Sequence, residues 1–127
     1  MVKFTVVSGN TSNDLAKRIA RKLKSPYIKT EKKVFPDGES KITINQIPKK
    51  SIVIVVQSTY PPVDSNLLEL LSIVSKVQKF SSKVYAVIPY MGYARQDREF
   101  LGGEIVTIGV VGKLLKDAVV KKVLTVD

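Results

Sequence analysis

The sequence predicts an α/β domain: a mostly parallel, twisted sheet flanked by helices, with a small β-hairpin. Three observations predict it. Apolar runs at Phe4–Val7, Ser51–Val56 and Lys83–Ile88 have the length and composition of strands buried on both faces. Stretches of helical periodicity separate most of the strands, and that alternation favours parallel strands joined by right-handed crossovers. The buried runs end in polar clusters, where open α/β sheets present groups to ligands.

The elements follow in order. Phe4–Val7 reads as a first strand and Ser8-Gly9-Asn10 as its closing turn. Thr11 and Asp14 have the spacing of a helix N-terminal cap. Leu15, Ile19 and Leu23 then make an apolar stripe, with lysines and arginines on the remaining surface, and Ser25-Pro26 stops the helix. Tyr27–Val34 alternates weakly as a second strand. Phe35-Pro36-Asp37-Gly38-Glu39 has the chemistry of a tight turn: a fixed φ, a side chain that bonds its own backbone, and a residue free to take positive φ. From pattern alone it is the turn of a hairpin whose second strand contains Ile42 and Ile44.

Ser51–Val56 is a nearly continuous β-branched run, closed by Gln57-Ser58-Thr59-Tyr60-Pro61-Pro62. Asp64 or Ser65 is placed to cap the next helix, whose broad apolar face contains Leu67, Leu68, Leu70, Leu71, Val74 and Val77. Lys83–Ile88 is the next buried strand. Ile105, Ile108, Val111, Leu114 and Leu115 mark a helix from about Glu104 to Lys116, in which Gly109 and Gly112 suggest close packing. Lys121–Val126 is the last strand. The sequence stops at Asp127, where the earlier strands carry polar loops.

Composition narrows the chemistry. The 127 residues suggest one domain. With no cysteine and no histidine, chemistry within this chain rests on carboxylates, Lys, Arg and backbone groups. No apolar run has membrane-spanning length and no signal-peptide pattern is present, so a cytoplasmic protein without membrane contact is expected. The net charge of +10 suggests anionic partners, or alternatively the lysine-rich surface of a heat-adapted protein. The lysines are scattered from Lys3 to Lys122, which argues against nucleic acid as the partner.

The chemistry concentrates in Pro89–Arg98, P-Y-M-G-Y-A-R-Q-D-R, directly after a buried strand. Arg95 and Arg98 are two of only four arginines, and arginine suits planar, bidentate recognition of phosphate. Gln96 and Asp97 add an amide and a carboxylate. In a parallel sheet this stretch shares one edge with Ser8, Asn10, Gln57, Ser58, Thr59 and Asp127.

These residues resemble those of ribose-phosphate pyrophosphokinases. V-I-P-Y-M-G-Y-A-R-Q-D-R at Val87–Arg98 is similar to that family's nucleotide-binding segment. F-P-D-G-E at Phe35–Glu39, Q-S-T-Y-P-P-V-D-S-N-L-L-E-L-L at Gln57–Leu71, S-G-N at Ser8–Asn10 and V-L-T-V-D at Val123–Asp127 fit in the same order. The resemblance implies a phosphoribosyltransferase-like half-enzyme: residues 1–127 as the amino-terminal, ATP-binding half of a two-domain protein whose second half is absent. It implies transfer of the diphosphoryl group of ATP to ribose 5-phosphate, with Mg2+, by a homo-oligomer. ATP would be held by Arg95, Gln96, Asp97 and Arg98. Phe35, Asp37, Gly38 and Glu39 would reach the adenine in a neighbouring subunit, which raises that turn to a site. Asp127 would be one half of a metal site, because the family's D-L-H motif breaks off there and its histidine is missing. No catalytic residue is expected within this chain, which alone is expected to be inactive; ribose 5-phosphate would bind through the missing half. The alternative is a non-catalytic nucleotide-binding or regulatory partner of such an enzyme.

Overall fold

The computed structural model describes residues 3–46, 50–81, 83–95, 97–99, 101–118 and 120–125. Five parallel strands form one sheet in the order β2-β1-β5-β6-β7: β1 (Phe4–Ser8), β2 (Tyr27–Lys29), β5 (Ile52–Val56), β6 (Lys83–Ile88) and β7 (Val120–Thr125). The antiparallel pair β3 (Glu31–Val34) and β4 (Ser40–Thr43) stands apart as the hairpin. The mostly parallel α/β class expected from the sequence is the class observed.

The expected second strand is divided. Tyr27–Lys29 joins the sheet, and the chain then turns out into the hairpin at Thr30. Thr30 is 97% buried, and both its N–H and its hydroxyl donate to the Ser8 carbonyl, each at 3.0 Å. These two bonds pin the exit point. The hairpin closes over Pro36-Asp37-Gly38, with Gly38 at φ +93°. Phe35 N–H donates to the Glu39 carbonyl at 2.8 Å and Gly38 N–H to the Phe35 carbonyl at 2.9 Å, as expected for a three-residue loop with glycine in the left-handed region.

Strand order sets the layers. After β2 the chain reverses its direction of travel across the sheet, so right-handed crossovers place α1 (Asn13–Leu23) on one face and α2 (Val63–Val77) and α3 (Thr107–Asp117) on the other. The period of two along each strand divides the side chains to match. Val7, Val53, Val55, Val84, Ala86 and Ile88 meet α2 and α3. Val6, Ile54 and Val56 meet α1. Each fully buried Val, Ile or Leu contributes about 1.5–3 kcal/mol relative to an exposed one.

The helices depart from their expected faces. In α1 the deepest residues are Ala16 and Ala20, with Leu15 and Ile19 beside them and Leu23 exposed, because the helix lies close to the sheet. Ser12, not Thr11, precedes the helix. In α2 the buried stripe is Asn66, Glu69, Leu70, Ile73, Val74 and Val77, and Leu68 is 65% exposed. Neither Asp64 nor Ser65 caps α2, because the helix already begins at Val63. Helix α3 starts at Thr107, which leaves Ile105 exposed outside it. Among the described residues a side chain at Gly112 would meet nothing within 4 Å, and one at Gly109 only an ordinary contact at 4.0 Å, so the expected close packing is not seen there.

Candidate functional site

The carboxyl ends of β1, β5 and β6 share one edge, and this edge has an inner and an outer part. The inner part lies between β1 and β5, the switch point where the strand order reverses. Open α/β sheets commonly seat ligands in that crevice. Here the chain's own polar side chains fill it. Gln57 is fully buried, and its amide accepts from Thr11 N–H (3.3 Å) and Thr11 Oγ1 (2.7 Å). Its Nε2 donates to Asn10 Oδ1 (3.4 Å) and the Asn66 carbonyl (3.3 Å). Thr11, expected as a helix cap, instead ties two loops together: its hydroxyl also accepts from Ser58 N–H at 2.8 Å.

Ser8, Ser58 and Thr59 are buried as well. The Ser8 hydroxyl bonds Asn13 Oδ1 and Tyr27 Oη. Thr59 Oγ1 donates to the Tyr90 carbonyl at 2.8 Å and accepts from Gly92 N–H at 2.6 Å. These edge residues hold the loops in place, while Arg95, Asp97 and Arg98 stand farther out and exposed.

The outer part is the loop after β6. Gly92 lets it approach the loop after β5: a Cβ there would lie 2.5 Å from Val63 Cγ1 and 3.3 Å from Thr59 Oγ1. Tyr93 has positive φ (67°), and its hydroxyl donates to the Asp64 carboxylate. The hydrogen bond to Asp64 pushes the Tyr93 pKa up. The Tyr60 and Tyr90 rings meet edge to face at 5.4 Å and are both exposed. Arg95 is exposed on the rim of a cleft of about 990 Å3 that also contains Asp64, Ser65, Tyr93 and Ile108. Asp97 and Arg98 lie farther along. They pair at 3.2 Å, and this contact holds the Asp97 carboxyl below its ordinary range and raises Arg98. Gln96 and Asp127 lie outside the described residues.

The hairpin tip lines a second cleft, of about 490 Å3, between the hairpin and α2. Asp37, Gly38 and Glu39 border it from one side, and Asp64, Ser65 and Glu69 from the other. The two clefts adjoin at Asp64 and Ser65. The structure therefore brings the tip and Arg95 to opposite sides of the α2 N-terminus. Phe35 lines neither cleft; Lys33 Nζ stands 5.5 Å from its ring centre.

Asp37 spends one oxygen on the tip itself, accepting from Glu39 N–H at 3.0 Å. Hydrogen bonding by Glu39, through its side chain first and its backbone N–H second, keeps the Asp37 pKa below the ordinary 3.8. The backbone N–H of Glu39 bound to the Asp37 carboxylate stabilises the tip above the unfolded pKa, and this contribution disappears as pH falls through the folded pKa. In an NMR pH titration the Glu39 amide resonance is therefore expected to move with a midpoint below 3.8. In an Asp37→Asn variant that transition is expected to be gone. A midpoint at or above the ordinary value would show that the bond does not hold in solution.

Asn66, Glu69 and Lys32 belong to this region and were not singled out from the sequence. Glu69 is 98% buried, accepts from Asn10 N–H at 2.7 Å through Oε2, and has Lys32 Nζ 3.5 Å from Oε1. A signal for two of them existed: Asn66 and Glu69 fall on the same helical stripe as Leu70, Ile73 and Val77, so polar groups at those positions must be buried.

A parallel α/β domain with an exposed arginine loop after a buried strand, beside a hairpin with an acidic tip, presents these groups along one sheet edge. Comparison with known proteins identifies the family. Residues 4–118 match the family model described as the N-terminal domain of ribose phosphate pyrophosphokinase. The chain is 42% identical to a ribose-phosphate pyrophosphokinase of Fusobacterium nucleatum, over 100% of this chain and 42% of that protein. It is 40% identical to that of Clostridium perfringens, over 96% of this chain and 39% of the relative. The crystal structure of phosphoribosylpyrophosphate synthetase from Mycobacterium smegmatis superposes with a TM-score of 0.89 at 25% identity, covering 98% of this chain and 42% of that one. The chain belongs to the ribose-phosphate pyrophosphokinase family. It spans about two fifths of the length of these relatives.

Proposed function

We propose that this chain supplies the amino-terminal, ATP-binding half of a ribose-phosphate pyrophosphokinase, which transfers the diphosphoryl group of ATP to ribose 5-phosphate and releases AMP. The observation that carries the reading is the exposed Arg95 on the cleft beyond β6, with the hairpin tip on an adjoining cleft. The Arg95 guanidinium is suited to grip phosphate oxygens in a forked arrangement. Gln96 and Arg98, the latter aligned by Asp97, extend the same recognition along the triphosphate. Phe35 offers a face for the adenine, Gly38 shapes the tip, and Glu39 and Asp37 offer acceptors for the exocyclic amine. The tip and Arg95 lie in separate clefts, which favours a homo-oligomer in which one subunit's tip completes a neighbour's nucleotide site.

In the reaction the anomeric oxygen of the sugar attacks the β-phosphorus, and the bond to the α-phosphate oxygen breaks. Such chemistry needs positioning and charge neutralisation more than a nucleophilic side chain, so a chain without His or Cys suits it. Among the described residues no three His, Cys, Asp or Glu side chains converge on a metal site. Asp127 lies outside them, and no step is assigned to a metal held by this chain. Magnesium enters on the substrate, as the salt of ATP. The ribose 5-phosphate site is assigned to the second half of the protein.

No helix among the described residues is long and apolar enough to cross a membrane. The scattered lysines favour small phosphorylated ligands over nucleic acid as partners, and the proposed enzyme would act in the cytoplasm. The deciding experiment is an assay of the polypeptide purified from its native source, supplied with magnesium, ATP and ribose 5-phosphate. AMP release that requires the sugar phosphate is the expected result. ATP binding without AMP release would replace this reading with that of a non-catalytic nucleotide-binding partner.

A further inference from the structure

The hairpin that carries Phe35, Asp37 and Glu39 is a two-stranded ribbon, and such ribbons have little stability of their own. Its bearing over the domain depends on what ties it down. Thr30 pins the base to Ser8. Ile42 and Ile44 pack on the core, but apolar contacts do not fix an angle. The directional tie is Lys32, whose Nζ lies 3.1 Å from Ser65 Oγ and 3.5 Å from Glu69 Oε1.

Glu69 is the hub of this arrangement. Its Oε2 accepts from Asn10 N–H in the loop after β1 at 2.7 Å. Its Oε1 has no hydrogen bond among the described residues and faces Lys32 alone as a charge partner. One carboxylate thus links the hairpin, α2 and the switch-point loop. A buried ion pair is a poor source of stability, and an apolar residue on this stripe of α2 would often serve stability as well or better. A directional role accounts for the charge.

We propose that Glu69, acting through Lys32, is a positioning residue that sets where the Phe35–Glu39 tip stands and thereby sets affinity for the nucleotide. This rests on the reading of the tip as part of the ATP site. Glu69 touches no substrate in this scheme. Its loss changes the spread of tip positions, so KM for ATP moves while kcat holds.

The test uses the native polypeptide with Glu69→Gln, Lys32→Met and Lys32→Arg. This chain contains no cysteine, so spin labels at Ser40→Cys and Ser72→Cys report hairpin-to-α2 distances without competing sites within it. Both positions border the hairpin cleft. The expected result is a broadened distance distribution in Glu69→Gln and Lys32→Met. With it, KM for ATP rises about tenfold and kcat stays within about twofold. Lys32→Arg restores both. Lys32→Met alters a residue outside the buried stripe, and so keeps the test decisive if Glu69→Gln fails to fold.

An unchanged distribution in the folded variants would overturn the positioning role. A broadened distribution with unchanged KM, while Phe35→Ala raises KM, would overturn the link from hairpin bearing to affinity. If Phe35→Ala also leaves KM unchanged, the tip is no part of the nucleotide site, and the earlier reading fails instead.

Discussion

Replacing Gly9 by alanine is expected to destabilise the domain by about 3 kcal/mol and to lower its melting temperature by about 10 °C. A Cβ at this position would lie 2.1 Å from Gln57 Oε1 and 2.8 Å from Glu69 Oε2. Both side chains are buried, and both of these oxygens accept hydrogen bonds. Gln57 cannot move without giving up its bonds to Thr11, Asn10 and Asn66. Glu69 cannot move without releasing Asn10 N–H. The added methyl therefore costs overpacking plus at least one broken buried hydrogen bond. Gly9 does not have positive φ, so the penalty comes from space alone. Gly38 gives the opposite control. Its φ is +93° but a Cβ would meet nothing within 4 Å among the described residues, so Gly38→Ala is expected to cost only about 1 kcal/mol, through backbone strain. Paired thermal melts of the two variants check this. Equal shifts would mean that the buried network yields easily and does not define the switch point.

Replacing Arg95 by alanine in the native polypeptide is expected to lower kcat/KM for ATP about 100-fold, which corresponds to about 2.7 kcal/mol of lost stabilisation. On the proposed reading the change removes a forked, charged donor to phosphate, and such contacts are among the strongest single hydrogen bonds a protein makes. Arg95 is exposed and outside the core, so the melting temperature should stay within about 2 °C of the parent. That separates a ligand contact from a folding defect. KM for ribose 5-phosphate is expected to change little, because the proposal puts that site outside this chain. Steady-state kinetics with each substrate varied in turn gives the answer. A variant with parental kinetics would remove Arg95 from the site, and with it the main support for the ATP-binding assignment.

Much of this was legible from local signals. The buried runs at Phe4, Ser51 and Lys83 became parallel strands, and the Pro-Asp-Gly signal at Pro36 became the hairpin turn with Gly38 at positive φ. The motifs that resembled ribose-phosphate pyrophosphokinases pointed to the family that the comparisons then established. What was not legible depends on neighbours far away in sequence. Gln57, Ser58 and Thr59 looked like ligand-facing groups at a strand end, yet their polar atoms are spent on Thr11, Asn10, Asn66 and Tyr90. Lys32 looked like one more solvated lysine until the fold set it against Glu69.

The sequence by itself determined the class of fold, the three buried strands, the turn chemistry and the family, because periodicity, β-branching and motif order are short-range properties of the chain. The tertiary structure alone decided which polar residues are scaffold and which stand out at the surface. The order β2-β1-β5-β6-β7 brings β5 beside β1, and only that adjacency closes the switch-point crevice with Gln57 and Glu69. Burial forces those groups to find partners, Gln57 on Thr11, Asn10 and Asn66 and Glu69 on Asn10 and Lys32, since an unpaired buried polar group costs more than any local propensity can repay. Arg95 stays exposed on the outer cleft, in the loop after β6 that Gly92 holds against Thr59 and Val63.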